Sequence, residues 1–152
     1  MNAREVGKAI QLLLVEDNPG DVDLARDALE DGEVQVNLSV AVDGEDAMAF
    51  LRKTGKHTLA PRPDLILLDL NLPRKNGREV LAEIKADADL KRIPVVVLTT
   101  SQAQEDVRNS YDCHANCYIV KPVDLRQFRR ALQAMESFWF TIVRLPPKEQ
   151  KW

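Results

Sequence analysis

Residues 65–73 read Leu-Ile-Leu-Leu-Asp-Leu-Asn-Leu-Pro. Four apolar residues run without a break and stop at a carboxylate, Asp69. Pro73 and Gly77 follow, which marks the end of the run as a loop. An unbroken apolar stretch of this length reads as a strand buried on both faces.

Working outward, Leu12-Leu13-Leu14-Val15 and Val95-Val96-Val97-Leu98 have the same character, and Tyr118-Ile119-Val120 is a shorter case. Val34, Val36, Leu38 and Val40 alternate with polar residues, which predicts a strand nearer a sheet edge. Helical spacing appears between these runs. Val22, Ala25 and Leu29 share one face; Ala47, Phe50 and Leu51 share another over 45–54; Val80, Leu81 and Ile84 share a third over 77–87. Val107 and Tyr111 mark a weaker helix, and Leu125, Phe128, Leu132, Met135 and Trp139 form the clearest stripe of all. Five strands alternating with five helices predict a doubly wound, five-stranded parallel α/β sheet. Residues 54–63 form a long polar connection, in which His57 is expected to be solvated.

The chain has 152 residues, enough for one domain with a real core. The expected organisation is an N-terminal extension at 1–9, one domain at 10–145 that includes an extended last helix, and a polar tail at 146–152. A net charge of -3 with no basic run argues against nucleic-acid binding, which depends on neutralising phosphates. No apolar run is long enough to span a membrane. The first eight residues lack the apolar core of a signal peptide, and two cysteines fit a reducing compartment, so a cytoplasmic location is expected.

The reactive side chains fall at strand ends. Glu16 and Asp17 follow the first strand, Asp69 the third, Thr99 the fourth and Lys121 the fifth. Open parallel sheets bind ligands at the carboxyl ends of their strands, so these scattered positions converge on one rim. Three crowded carboxylates repel one another and need a cation. Oxygen donors without His or Cys suit a hard ion such as Mg²⁺. With a lysine and a threonine hydroxyl at the same rim, the set matches phosphoryl transfer, and Asp69 is placed to form an acyl phosphate.

Four motifs carry a resemblance: Leu-Val-Glu-Asp-Asn at 14–18, Leu-Leu-Asp-Leu-Asn-Leu-Pro at 67–73 with Gly77, Val-Val-Val-Leu-Thr-Thr at 95–100, and Tyr-Ile-Val-Lys-Pro at 118–122. Together the chain resembles the response-regulator receiver domains of two-component signalling over roughly residues 10–135. The resemblance implies the flavodoxin-like strand order 2-1-3-4-5. It implies that Asp69 accepts phosphate from a sensor histidine kinase. Asp17, Asp69 and the backbone carbonyl of Asn71 would hold Mg²⁺, with Glu16 helping through water. Lys121 would bind the phosphoryl group, and Thr99 and Tyr118 would be the switch pair. More narrowly, the loop at 53–63, residues 114–122 and Phe138-Trp139-Phe140 resemble the stand-alone regulators of cyanobacterial phytochromes. That implies a bacterial phytochrome as phosphodonor and a homodimer built on the last helix.

Each position also has a plainer reading. Glu16 and Asp17 could simply favour the dipole of a following helix. Asp69 could cap a turn, Thr99 could be a β-branched strand residue, and Tyr118 could be core. Cys113, His114 and Cys117 offer three potential metal ligands where a structural zinc site wants four, so buried or half-exposed thiols are the expectation. The apolar surface of Phe138, Trp139, Phe140 and Ile142 exceeds what one domain buries, which favours an interface over a folded-back tail.

Other functions fit less well. An aspartyl phosphohydrolase commonly needs an acid two residues after its nucleophile, and that position is Asn71. A flavin module needs a phosphate-cradling loop, whereas Glu16 and Asp17 would repel phosphate. A scaffold that has lost its chemistry is not favoured, because every chemical residue is present. A protein that is phosphorylated but turns over no separate substrate is the expectation, so it is not read as an enzyme.

Overall fold

The computed structural model describes residues 9–30, 35–99, 108, 115, 117–120 and 125–137. These residues form a five-stranded sheet of β1 (Ile10–Val15), β2 (Val36–Ala41), β3 (Leu65–Leu68), β4 (Val95–Thr99) and β5 (Cys117–Val120). All pairings are parallel, and the order is β2-β1-β3-β4-β5, as expected. The described helices are α1 (Pro19–Glu30), α2 (Gly44–Arg52), α3 (Gly77–Ala86) and α4 (Leu125–Ser137), with short 3₁₀ turns at Gly55–His57 and Leu90–Arg92. None of these helices is long and apolar enough to cross a membrane. The helix expected around Val107 and Tyr111 lies outside the described residues, as do Cys113, His114 and the continuation of the last helix past residue 137.

The unbroken apolar strands are explained by two cores, one on each face. Leu13, Val15, Ile66, Leu68, Val95 and Val97 face α2 and α3, where they meet Met48, Phe50, Leu51, Val80, Leu81 and Ile84. Their neighbours Ile10, Leu12, Leu14, Leu65, Leu67, Val96 and Leu98 face α1 and α4, where they meet Ala25, Ala28, Leu29, Leu132 and Met135. Side chains alternate along a strand, so a strand covered on both sides has no polar position to spare. Each fully buried Leu or Ile contributes about 1.5–3 kcal/mol relative to exposure. β2 lies at the sheet edge, and this accounts for its alternating sequence and partial burial.

Local signals set the helix ends. Asn18 accepts from the N–H groups of Gly20 (2.9 Å) and Asp21 (3.2 Å), and Pro19 occupies the first helical position of α1. Asp43 caps α2 by accepting from Asp46 N–H at 2.7 Å. Asn76 caps α3 by accepting from Glu79 N–H at 3.0 Å. The spacing predicted α2 to run to residue 54, but it stops at Arg52. Lys53 turns left-handed (φ 57°), its N–H reaches the Phe50 carbonyl, and Thr54 N–H reaches the Ala49 carbonyl. This is a Schellman closure, with lysine where glycine is usual.

In the polar connection after α2, His57 is not solvated, contrary to expectation. Its side chain is 16% exposed, and Nε2 lies 2.7 Å from Asp46 Oδ1. Its ring meets the edge of Phe50, with centroids 5.3 Å apart. Lys56 Nζ lies 3.7 Å from the same carboxylate. A sequence window of ten residues does not show that this loop folds back along α2, eleven positions away.

Burial works to raise the Asp46 pKa, but it is outweighed. The His57 hydrogen bond, the Val42 N–H and the charges of Lys56 and His57 hold the pKa below its ordinary 3.8. A lowered carboxylate contributes stability above its unfolded pKa and loses it as pH falls through the folded one. Urea unfolding followed from about pH 5 to about pH 3 should therefore show a steeper loss for the native chain than for Asp46→Asn. Parallel curves would mean that Asp46 makes no such contribution.

Candidate functional site

Backbone register builds the rim. Val15 pairs with Leu68 and with Ala41, so the residues after them emerge side by side. The ladder continues one step past the strands: Glu16 N–H donates to the Ala41 carbonyl at 2.9 Å, and Asp69 N–H donates to the Val15 carbonyl at 3.0 Å. These bonds fix where both carboxylates begin. On the other side, Leu68 pairs with Val97, and Thr99, the last residue of β4, pairs with Val120. Residue 121 follows directly from that pair.

The side chains of Glu16, Asp17 and Asp69 converge. A carboxylate oxygen from each lies within 4.8 Å of the others. Glu16 and Asp69 are buried, at 2% and 7% exposure, whereas Asp17 is open to solvent. Asn18 N–H donates to Glu16 Oε2 at 3.3 Å, and Asn71 N–H donates to Asp69 Oδ1 at 3.0 Å. Turn capping by Asp69, the plainer reading, is thus present as well.

The donor set fits a hard divalent cation. Oxygens bound at 2.0–2.1 Å on opposite sides of Mg²⁺ stand about 4.2 Å apart, close to the span seen here. Every donor is an oxygen, as such an ion prefers.

The loop between β3 and α3 is held by close backbone contacts. Gly77 N–H donates to the Leu70 carbonyl at 3.0 Å, and a side chain at Gly77 would overlap the carbonyl of Asp69 and the Cα of Leu70. A side chain at Gly44, the first residue of α2, would overlap the carbonyl of Lys75. Only glycine permits these approaches.

Charged residues around the loop complete the frame. Arg74 is left-handed (φ 62°), a conformation that costs a non-glycine residue roughly 1–2 kcal/mol. Its Nη1 lies 3.5 Å from Oδ2 of Asp43, whose side chain is 7% exposed. Lys75 pairs with Glu83 of α3, and Glu83 also lies 3.5 Å from Arg52 of α2.

The sequence reading had not singled out Asp43, Arg74, Lys75 or Asn76. Asn76 was detectable, since it stands three residues before Glu79 at a helix start. Arg74 and Asp43 are 31 positions apart and carried no such signal. Lys121, Phe138, Trp139, Phe140 and Ile142 lie outside the described residues, as do the side chains of Thr99 and Tyr118.

A doubly wound parallel sheet with an acidic cluster at the carboxyl ends of its first and third strands places a candidate divalent-cation site at one rim, the arrangement of a receiver-like α/β domain. Residues 12–133 match the response regulator receiver domain, and the chain belongs to that family. Among particular relatives, the chain is 52% identical over 135 residues to response regulator Rcp1 of Synechocystis sp., covering 89% of this chain and 92% of that protein. It also superposes on the crystal structure of the phosphorylated cyanobacterial phytochrome response regulator RcpA. There the TM-score is 0.89 at 50% identity, covering 91% of this chain and 99% of that one. The Mn²⁺-bound form of Rcp1 matches with a TM-score of 0.88 at 51% identity, over 91% and 99% of the two chains. The chain is thus a receiver homologous to phytochrome response regulators.

Crowded carboxylates make a direct prediction about metal binding. A divalent cation at about a hundred times its Kd should stabilise the fold by about 2.7 kcal/mol. Asp17→Asn should abolish most of that gain. Without metal the same variant should be no less stable than the native chain, because a repulsion has been removed. A variant that loses stability without metal yet keeps the full gain would remove Asp17 from the site.

Proposed function

We propose that this chain is a phosphoacceptor switch of two-component signalling, phosphorylated on Asp69 in the presence of Mg²⁺. The observation that carries this is the convergence of Glu16, Asp17 and Asp69 within 4.8 Å at one sheet rim. Asp17, Asp69 and the carbonyl of Asn71 would hold the ion, and Glu16 would reach it through water. When bound, Mg²⁺ neutralises the carboxylates and the charge that develops on the transferred group.

The chain's own residues do the rest. A carboxylate oxygen of Asp69 attacks phosphorus in line; the bond from phosphorus to the donor nitrogen breaks, and the donor imidazole leaves with the electron pair. Asn71 N–H holds the other Asp69 oxygen in place. The ladder bond from Asp69 N–H to Val15 fixes the start of the side chain, so the attacking oxygen needs little reorganisation. Lys121, one residue past the Thr99 and Val120 pair, is read as the cation for the phosphoryl oxygens. Thr99 donates its hydroxyl to the phosphoryl group, and Tyr118 follows it inward as the second half of the switch. The protein transfers phosphate to itself and turns over no other substrate.

The phosphodonor is read as a sensor histidine kinase of the phytochrome type. The likeness to RcpA and Rcp1 supports this. A cytoplasmic location follows for a receiver served by such a kinase. A homodimer through Phe138, Trp139, Phe140 and Ile142 is part of the same reading. Sedimentation of Phe138→Glu or Trp139→Glu should give monomers, and unchanged dimers would locate the contact elsewhere.

The chemical test is mass spectrometry of the intact chain after incubation with a small phosphodonor and Mg²⁺. The native chain should gain one phosphate, lost on chelation of the metal during the reaction, and Asp69→Asn should gain none. A phosphate present on both would disprove Asp69 as the acceptor. Its absence from the native chain would favour a scaffold.

A further inference from the structure

Arg74 stands in a conformation that a glycine would adopt without cost (φ 62°). Backbone held in such a region is over-determined by its surroundings, and in functional loops it points to a task. The surroundings here are specific. The guanidinium lies 3.5 Å from the buried carboxylate of Asp43, which at the same time caps α2 through Asp46 N–H. The next residue, Lys75, is tied to Glu83 of α3, and its carbonyl is pressed against Gly44. The loop is thereby clamped to α2 and α3 three residues beyond Asn71. At its other end, Asn71 N–H is bound to Asp69 Oδ1. The peptide that carries the Asn71 carbonyl is itself tied down, since its N–H, that of Leu72, donates to the Leu70 carbonyl at 3.2 Å.

We propose that Arg74, through Asp43, is a positioning residue for the divalent cation, because the clamp on the loop sets where the Asn71 carbonyl stands relative to Asp17 and Asp69. The inference rests on the reading of Asn71 as a metal ligand given above. Mg²⁺ demands near-ideal octahedral geometry, so a carbonyl free to drift binds it less well. Groups outside the ligand shell that orient a ligand alter metal affinity strongly.

The test separates positioning from mere stability. The full chain, Arg74→Gly, Arg74→Lys, Asp43→Asn and the Arg74→Gly/Asp43→Asn double variant are each titrated with Mg²⁺ by calorimetry and melted without metal. Glycine relieves the left-handed backbone, so Arg74→Gly should melt no lower than the native chain. Its Kd for Mg²⁺ should nonetheless rise about threefold or more, as expected when a supporting group is lost. Asp43→Asn keeps an oxygen for the α2 cap and should weaken Mg²⁺ to a similar degree. The double variant should be no weaker than the poorer single, since both remove one interaction. Arg74→Lys should retain part of the affinity. An Arg74→Gly chain that binds Mg²⁺ as tightly as the native protein overturns the inference and leaves the site itself standing. A native chain that binds no Mg²⁺ overturns the metal reading and this inference with it.

Discussion

Mutual repulsion among three carboxylates is the constraint around which the rim is organised. The sheet imposes their proximity. Val15 pairs with Leu68, and the two ladder bonds beyond the strands carry Glu16 and Asp69 into adjacent places. Neither backbone position can move far without breaking these ladder bonds at the ends of strands buried on both faces. The charge stored at the rim is therefore a property of the fold, and a divalent cation is the simplest way to relieve it. Everything proposed for the site follows from that tension. On the proposed reading, Asp69 would serve as nucleophile because the backbone fixes where its side chain starts and an ion would balance its charge.

The supporting shell is built from backbone contacts as much as from side chains. Gly77 lies against the Asp69 carbonyl, and Gly44 lies against the Lys75 carbonyl. These two approaches join the starts of α2 and α3 to the loop after β3. Around them, Asp43, Arg74, Lys75 and Glu83 add charge pairs that bridge both helices. Surface ion pairs are weak on their own, usually about 0–1 kcal/mol. Their effect here is geometric, since they fix a short loop that carries proposed ligands. A second ordered feature, the fold-back of His57 onto Asp46 and Phe50, steadies the long connection without touching the acidic rim.

Most of the architecture was legible in the sequence. Unbroken runs such as Leu65–Leu68 mark strands covered on both faces, and the alternation at Val36, Leu38 and Val40 correctly marked an edge. Glu16, Asp17 and Asp69 were legible as a cluster because a parallel sheet places all its strand ends on one side. Boundaries were less so. α2 ended two residues early, because Lys53 adopts a left-handed turn that its sequence does not advertise. His57 was misjudged for a different reason. Its polar neighbours suggested solvent, whereas its real partners lie on the preceding helix.

By itself the sequence determined what depends on local pattern: strand, helix, turn, and the chemical type at each strand end. Period-2 and period-3.6 burial leave their record in neighbouring residues, so they can be read one window at a time. Tertiary structure alone decided what depends on pairs of distant residues. Nothing near residue 74 announces Asp43, and nothing near residue 57 announces Asp46; each contact exists because the chain doubles back in space. Even the closeness of the acidic rim, where a carboxylate oxygen from each of three residues lies within 4.8 Å of the others, depends on strand register, which brings together positions that composition and spacing along one dimension do not.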